Sequence, residues 1–202
     1  IDHRQNSLVT SLTKLLDPSH STWYWDGSKL KITSNVEAQK KLSDILQLIY
    51  PESPIIKNEL VNRDHISSQG QSARTKLMKD MLNNRSEMNL GYPDDKFPAE
   101  KTVFNAIFKV NKLYKFSDNQ GSFTEPKKGN TLYSVYAAIK DILLNAEEPV
   151  SFSQIQSTLS MPPLGVKRGV QPVLFMGFFL SNENNIAVYE DGIFRPYINN
   201  ES

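Results

Sequence analysis

Residues 161–198 read MPPLGVKRGVQPVLFMGFFLSNENNIAVYEDGIFRPYI. The stretch opens on a Pro/Gly turn, Pro162-Pro163-Leu164-Gly165, and runs into a segment that is apolar nearly all round. It closes on two groups of β-formers separated by Asp191-Gly192. Asp-Gly between such groups predicts a two-residue hairpin turn, because both central residues of that turn need φ > 0. The predicted order is therefore a turn, an apolar helix over Val170 to Leu180, and a hairpin.

A related ending occurs near the start. Thr22 to Ile32, TWYWDGSKLKI, reads as a hairpin with Asp26-Gly27 at its tip, and it shares Tyr, one residue, Asp-Gly with Tyr189 to Gly192. Before it, Asn6 to Leu16 places Leu8, Leu12, Leu15 and Leu16 on one helical face. Residues 1–34 thus read as the helix and hairpin that end a preceding unit; the alternative is an N-terminal hairpin unrelated to the last one.

From residue 35 the same order is met in full. Ser34 with Glu37 has capping-box spacing. The helix that follows carries Leu42, Ile45, Leu46 and Ile49 at i, i+3, i+4, i+7 and stops at Pro51. Pro54-Ile55-Ile56 suits a short strand, and Ile66 to Leu82 a second helix with Ala73, Leu77, Met78, Met81 and Leu82 inward. After a polar loop, Pro98 opens a third helix that buries Val103, Phe104, Ile107 and Phe108. Asp118-Asn119-Gln120-Gly121 offers a turn, and Pro126 to Gly129 a linker. Beyond it Leu132, Val135, Tyr136, Ile139, Ile142 and Leu143 form another helical stripe. Pro149-Val150 is a short strand, and Ser151 with Gln154 a second capping box. Gly91 precedes Pro98 by seven residues and Gly165 precedes Pro172 by seven, and each Pro leads into a Phe-rich helix.

Helix, strand, helix, turn, helix and hairpin is the order of a winged-helix unit. The predicted fold class is mainly α with small β-hairpins (α+β), arranged as tandem winged-helix-like domains over residues 35–126 and 130–202. One irregular α-rich domain is the competing architecture.

Composition constrains function only broadly. The chain has 202 residues, enough for a sizeable core, and no Cys, which removes disulfides, thiolate metal sites and a cysteine nucleophile. That fits a cytoplasmic location, and no apolar run approaches the ~18 residues of a membrane span. The opening Ile1-Asp2-His3-Arg4, without an initiator Met or leader, suggests a fragment of a longer protein. The net charge of +1 is evenly spread: Lys/Arg against Asp/Glu is four to three in residues 1–34, thirteen to twelve in 35–126, and six to seven in 127–202. Any basic surface must therefore come from local clustering.

No catalytic pattern emerges. His3, His20 and His65 lack ligand spacing, so no metal is expected. Pro93-Asp94-Asp95 with Glu100-Lys101 is superficially nuclease-like, but no residue separates Glu100 from Lys101. No Ser joins a recognisable His–acid arrangement, and Arg63-Asp64-His65 suits an exposed helix-entry turn better than a reactive cluster.

Binding remains. Lys101, Asn105, Lys109 and Lys112 fall on one polar stripe of the third helix, where lysines would neutralise phosphates and Asn105 would pair an adenine edge. A solvated helix face is the plainer alternative. Lys167, Arg168 and Arg195 are further candidate contacts to double-stranded DNA. The apolar Val170–Leu180 helix points instead to docking, through Phe175 or Phe179, on a neighbouring domain or partner protein, or to a helix covered by its own domain. Neither function requires a cofactor within this chain.

The stretches Asn62 to Ser68 (NRDHISS), Ala73 to Met78 (ARTKLM), Pro162 to Gly169 (PPLGVKRG) and Tyr189 to Gly192 (YEDG) resemble the accessory region of large bacterial P-loop ATPases of the phage-defence kind. The resemblance spans Asn58 to Ile198. It implies an ATPase core outside this chain and a role in DNA transactions; the balanced charge and the apolar helix suggest, as a second reading, docking on the remaining domains of the parent. The chain itself has no GxxxxGK[ST] and no glycine-rich phosphate loop, so no catalytic activity is expected of it.

Overall fold

A computed structural model describes residues 2–17 and 20–195; the side chains of His3 and Leu16, and the stretch 196–198, lie outside the described residues. Within these bounds the chain is mainly helical, with seven α-helices and three antiparallel two-stranded hairpins. Among the described residues no helix is long and apolar enough to cross a membrane. The chain divides into compact units 1–51 and 52–202.

The first unit contains α1 (Asp2–Leu16), the hairpin β1 (Trp23–Trp25) and β2 (Ser28–Leu30), and α2 (Asn35–Ile49). The turn forms as the Asp-Gly pair demands, with φ of 48° at Asp26 and 71° at Gly27. Ser34 caps α2 by accepting from the Glu37 backbone N–H. Glu37 reaches one residue further back than a capping box requires, accepting 2.8 Å bonds from the Thr33 N–H and hydroxyl. Those bonds, the backbone one foremost, hold the Glu37 carboxyl below its ordinary range. No residue of α2 is buried. The helix expected to open a first winged unit is thus grouped with the N-terminal segment.

The second unit follows with α3 (Ser68–Asn83), α4 (Ala99–Phe104), β3 (Tyr114–Ser117), β4 (Gln120–Phe123), α5 (Tyr133–Leu144), α6 (Phe152–Ser160), α7 (Gln171–Ser181), β5 (Val188–Glu190) and β6 (Ile193–Arg195). No strand forms at 54–56 or 149–150. Ser67 caps α3 and Ser151 caps α6, the latter in a complete capping box with Gln154. α3 buries Ala73, Leu77 and Met81, spaced by four, while Met78 and Leu82 pack half-buried against the core. Pro98 sits one residue before α4, and Pro172 in the first turn of α7.

α4 does not continue as a regular helix. Residues 105–109 form a π-turn in which the Val110 N–H donates to Asn105 at 3.0 Å. The wider turn admits one extra residue, and Val103, Phe104, Ile107 and Phe108 are all fully buried. Their rings continue into the hairpin: Phe104 meets Tyr114 edge-on at 5.2 Å and Phe108 meets Phe123 at 5.1 Å. Positive φ at Asp118 and Asn119 closes β3 on β4.

The stretches 52–126 and 130–195 share one hydrophobic core, running from Ile56 and Leu77 through Phe108 to Leu132, Ile155 and Phe178. The linker at 126–129 therefore does not separate two cores. Asn130 joins across it, donating from its side chain to the Asn111 carbonyl at 2.9 Å. Gly177 lets α7 lie directly on the π-turn, since a Cβ there would stand 2.3 Å from the Phe108 ring.

Candidate nucleic-acid interface

The predicted lysine stripe divides in two. Lys101 is buried, and its ammonium donates to the carbonyls of Pro93 at 2.5 Å and Lys96 at 2.8 Å while lying 4.3 Å from the Phe97 ring centre. It holds the 93–97 loop against α4 and cannot reach a phosphate. Asn105 is half-buried at the start of the π-turn, with its side-chain oxygen buried and unbonded, so an adenine edge has no access to that oxygen. The stripe was a projection at 3.6 residues per turn, and the π-turn breaks that period after Phe104.

Lys109 and Lys112 are exposed where the helix ends. Lys109 donates to the Asn89 side chain at 2.8 Å, and Lys112 takes φ of 57° to turn the chain toward β3. Three more lysines join them. Lys115 is exposed on β3, and Lys127 and Lys128 are exposed in the linker that the Asn130–Asn111 bond holds beside the helix end. A second bond, from the Thr124 N–H to the Leu113 carbonyl at 2.9 Å, fixes the hairpin's return to the same place. Five lysines thus gather on two adjoining segments. The nearby Glu125 is paired with Lys140 at 3.4 Å. Helix C-terminal carbonyls favour cations, which accounts for Lys109 and Lys112 being tolerated together. Lys115, Lys127 and Lys128 escape a search confined to one helix face; the three-residue spacing of Lys109, Lys112 and Lys115 was the available signal.

The remaining basic candidates are occupied. Lys167 pairs with Asp64 at 3.0 Å, and the Arg168 backbone N–H donates to the same carboxylate at 3.2 Å. The Lys167 bond holds the Asp64 carboxyl below its usual range. Next to it, the Gly169 N–H donates to the Arg63 carbonyl at 2.8 Å, and Arg74 donates to the Gly169 carbonyl at 3.2 Å. Arg63-Asp64 and Lys167-Arg168-Gly169 therefore form a clasp within the second unit, its ion pair about half exposed. Arg195 pairs with Glu190 across its own hairpin at 2.9 Å.

Of the two docking candidates, Phe179 is buried at 8% exposure and belongs to the core. Most of the apolar helix is covered by its own surroundings, with Phe175 and Met176 half-buried. Phe175 is half-buried, its ring 5.2 Å from that of Phe152 in a groove of about 520 Å³ between α6, α7 and β5.

The nuclease-like residues do not converge: Glu100 is buried against Lys76, and Lys101 is committed to the loop carbonyls. Among the described residues no group of three or more His, Asp or Glu is placed to hold a metal ion. No protein-family model, no curated protein and no solved structure matches the chain.

Proposed function

We propose that this chain is a non-catalytic winged-helix-type module that contributes DNA contact to a larger bacterial P-loop ATPase. The exposed lysines at 109, 112, 115, 127 and 128 carry this proposal. Lys109, Lys112 and Lys115 stand at the end of a helix and on the first strand of the following hairpin, the two elements that a winged helix turns toward a duplex, and Lys127 and Lys128 lie in the linker beside them. Two successions, α3–α4–β3–β4 and α6–α7–β5–β6, support the tandem winged-helix reading, and the resemblance to ATPase accessory regions supports the setting. The charges contact phosphates, so binding is insensitive to sequence and steep in salt.

Fluorescence anisotropy with a labelled duplex of about 20 bp at two salt concentrations tests this. Each phosphate contact contributes about 0.9 to the slope of log affinity against log salt, so the triple variant K109E/K112E/K115E is expected to lower the slope by about 2 to 3. Binding that is absent at low salt, or unchanged in the triple variant, overturns the proposal.

A further inference from the structure

We propose that Asn89 belongs to the DNA contact, where with Lys109 it forms a preset clamp on one phosphate. This rests on the reading of the exposed lysines as a DNA surface, and it adds a residue from the loop between α3 and α4. In the second unit Lys76, Lys140 and Lys167 each donate to a carboxylate, and Lys101 is surrounded by loop carbonyls. Among the described residues of that unit, Lys109 alone is held by a neutral side chain, the Asn89 amide oxygen at 2.8 Å. Its ammonium is therefore oriented without being neutralised.

A lysine ammonium only donates, so the Asn89 oxygen faces it and the amide NH2 is left over. That nitrogen donates to nothing among the described residues and is not buried, so it is open to solvent. The remaining N–H groups of Lys109 and the NH2 of Asn89 are thus neighbouring free donors, which suits the oxygens of one phosphate. The backbone presets the pair. Asn89, Leu90 and Gly91 take φ of 53°, 56° and 73°, a left-handed geometry that is an outlier for a residue like Leu90. The surroundings impose it: Leu90 is buried in the core, the Tyr114 hydroxyl donates to the carbonyls of Arg85 and Glu87, and the Gly121 N–H donates to the Ser86 carbonyl at 2.8 Å. The β3–β4 hairpin that carries Lys115 therefore also fixes the turn that carries Asn89.

Anisotropy of the whole chain with a labelled duplex of about 20 bp, followed over several salt concentrations, tests the clamp. Asn89→Gly removes the side chain and keeps the left-handed turn, and Asp also accepts that conformation. Asn89→Gly is expected to weaken binding about three- to tenfold with the salt slope kept, since a neutral donor releases no counterion. Asn89→Asp pairs with Lys109 and cancels its charge, so it lowers the slope by about 0.9, as Lys109→Gln does. In a Lys109→Gln background Asn89→Gly costs less than in the wild type, because the two side chains share one phosphate. Wild-type affinity and slope in both Asn89 variants, or an equal loss from Asn89→Gly with and without Lys109, overturns the clamp and leaves the DNA surface standing. A wild type that does not bind at low salt overturns the DNA reading, and the clamp with it.

Discussion

Helices α2 and α5 carry the same apolar spacing and meet opposite fates. Leu42, Ile45, Leu46 and Ile49 repeat the intervals of Leu132, Val135, Tyr136 and Ile139. In the second unit all four side chains are at most 4% exposed, whereas in the first Leu42 and Leu46 stand about half in solvent. Periodicity thus specifies which face of a helix is apolar, and only tertiary structure supplies something to cover it. Burying one such side chain stabilises by about 1.5–3 kcal/mol, so α5 is held by its neighbours and α2 is not. A helix of α2's length is marginal in water without tertiary packing, and its caps and apolar face alone do not change that.

The largest test of this contrast is truncation. Ile139→Ala is expected to cost about 2–5 kcal/mol in urea unfolding, and Leu42→Ala to stay within about 0.5 kcal/mol. Equal losses would break the comparison. Gly169→Ala comes next. Its Cβ would stand 2.4 Å from the Ile66 side chain and 2.5 and 2.6 Å from the carbonyls of Val61 and Arg63, so a loss of about 1–3 kcal/mol is expected.

Caps sharpen the contrast at smaller scale. Ser151→Ala should lower the stability of the second unit by about 1 kcal/mol. Ser34→Ala should speed hydrogen exchange in α2 and leave exchange in α5 unchanged. The smallest effect is expected at the clasp. Asp64→Asn removes an ion pair about half exposed, worth at most about 1 kcal/mol. The folded Asp64 carboxyl titrates below its unfolded value, so its contribution is present above about pH 4 and fades as pH falls through the folded value. The difference in Tm between wild type and Asp64→Asn should therefore vanish in acid; a difference that persists there assigns the effect to something other than the carboxylate.

Local chemistry was legible and long-range chemistry was not. Asp26-Gly27 and Asp191-Gly192 announce their hairpins because few residues accept positive φ at both positions. Ser151 and Gln154 announce a helix start because their bonds close within one turn. Lys101 gave no sign of its burial, since its acceptors are carbonyls of a loop, and any residue supplies a carbonyl. The π-turn at Asn105 has no side-chain signature, yet it ends the 3.6-residue period on which the predicted stripe depended. The single core of the second unit was hidden for a related reason. Lys127-Lys128-Gly129 looks like a linker because it is polar, while the contacts that cross it depend on Gly169 and Gly177, residues notable for what they lack.

That close approach at Gly177 means the two halves of the second unit are unsuited to life apart. A protease cutting at Lys127 or Lys128 would sever the chain while leaving α7 seated on Phe108, and the nicked protein would travel as one species. Expressed as two polypeptides, residues 52–128 and 129–202 would each present a raw apolar surface and would become ordered only when mixed, which makes this exposed basic segment a natural place to divide the protein into a complementing pair.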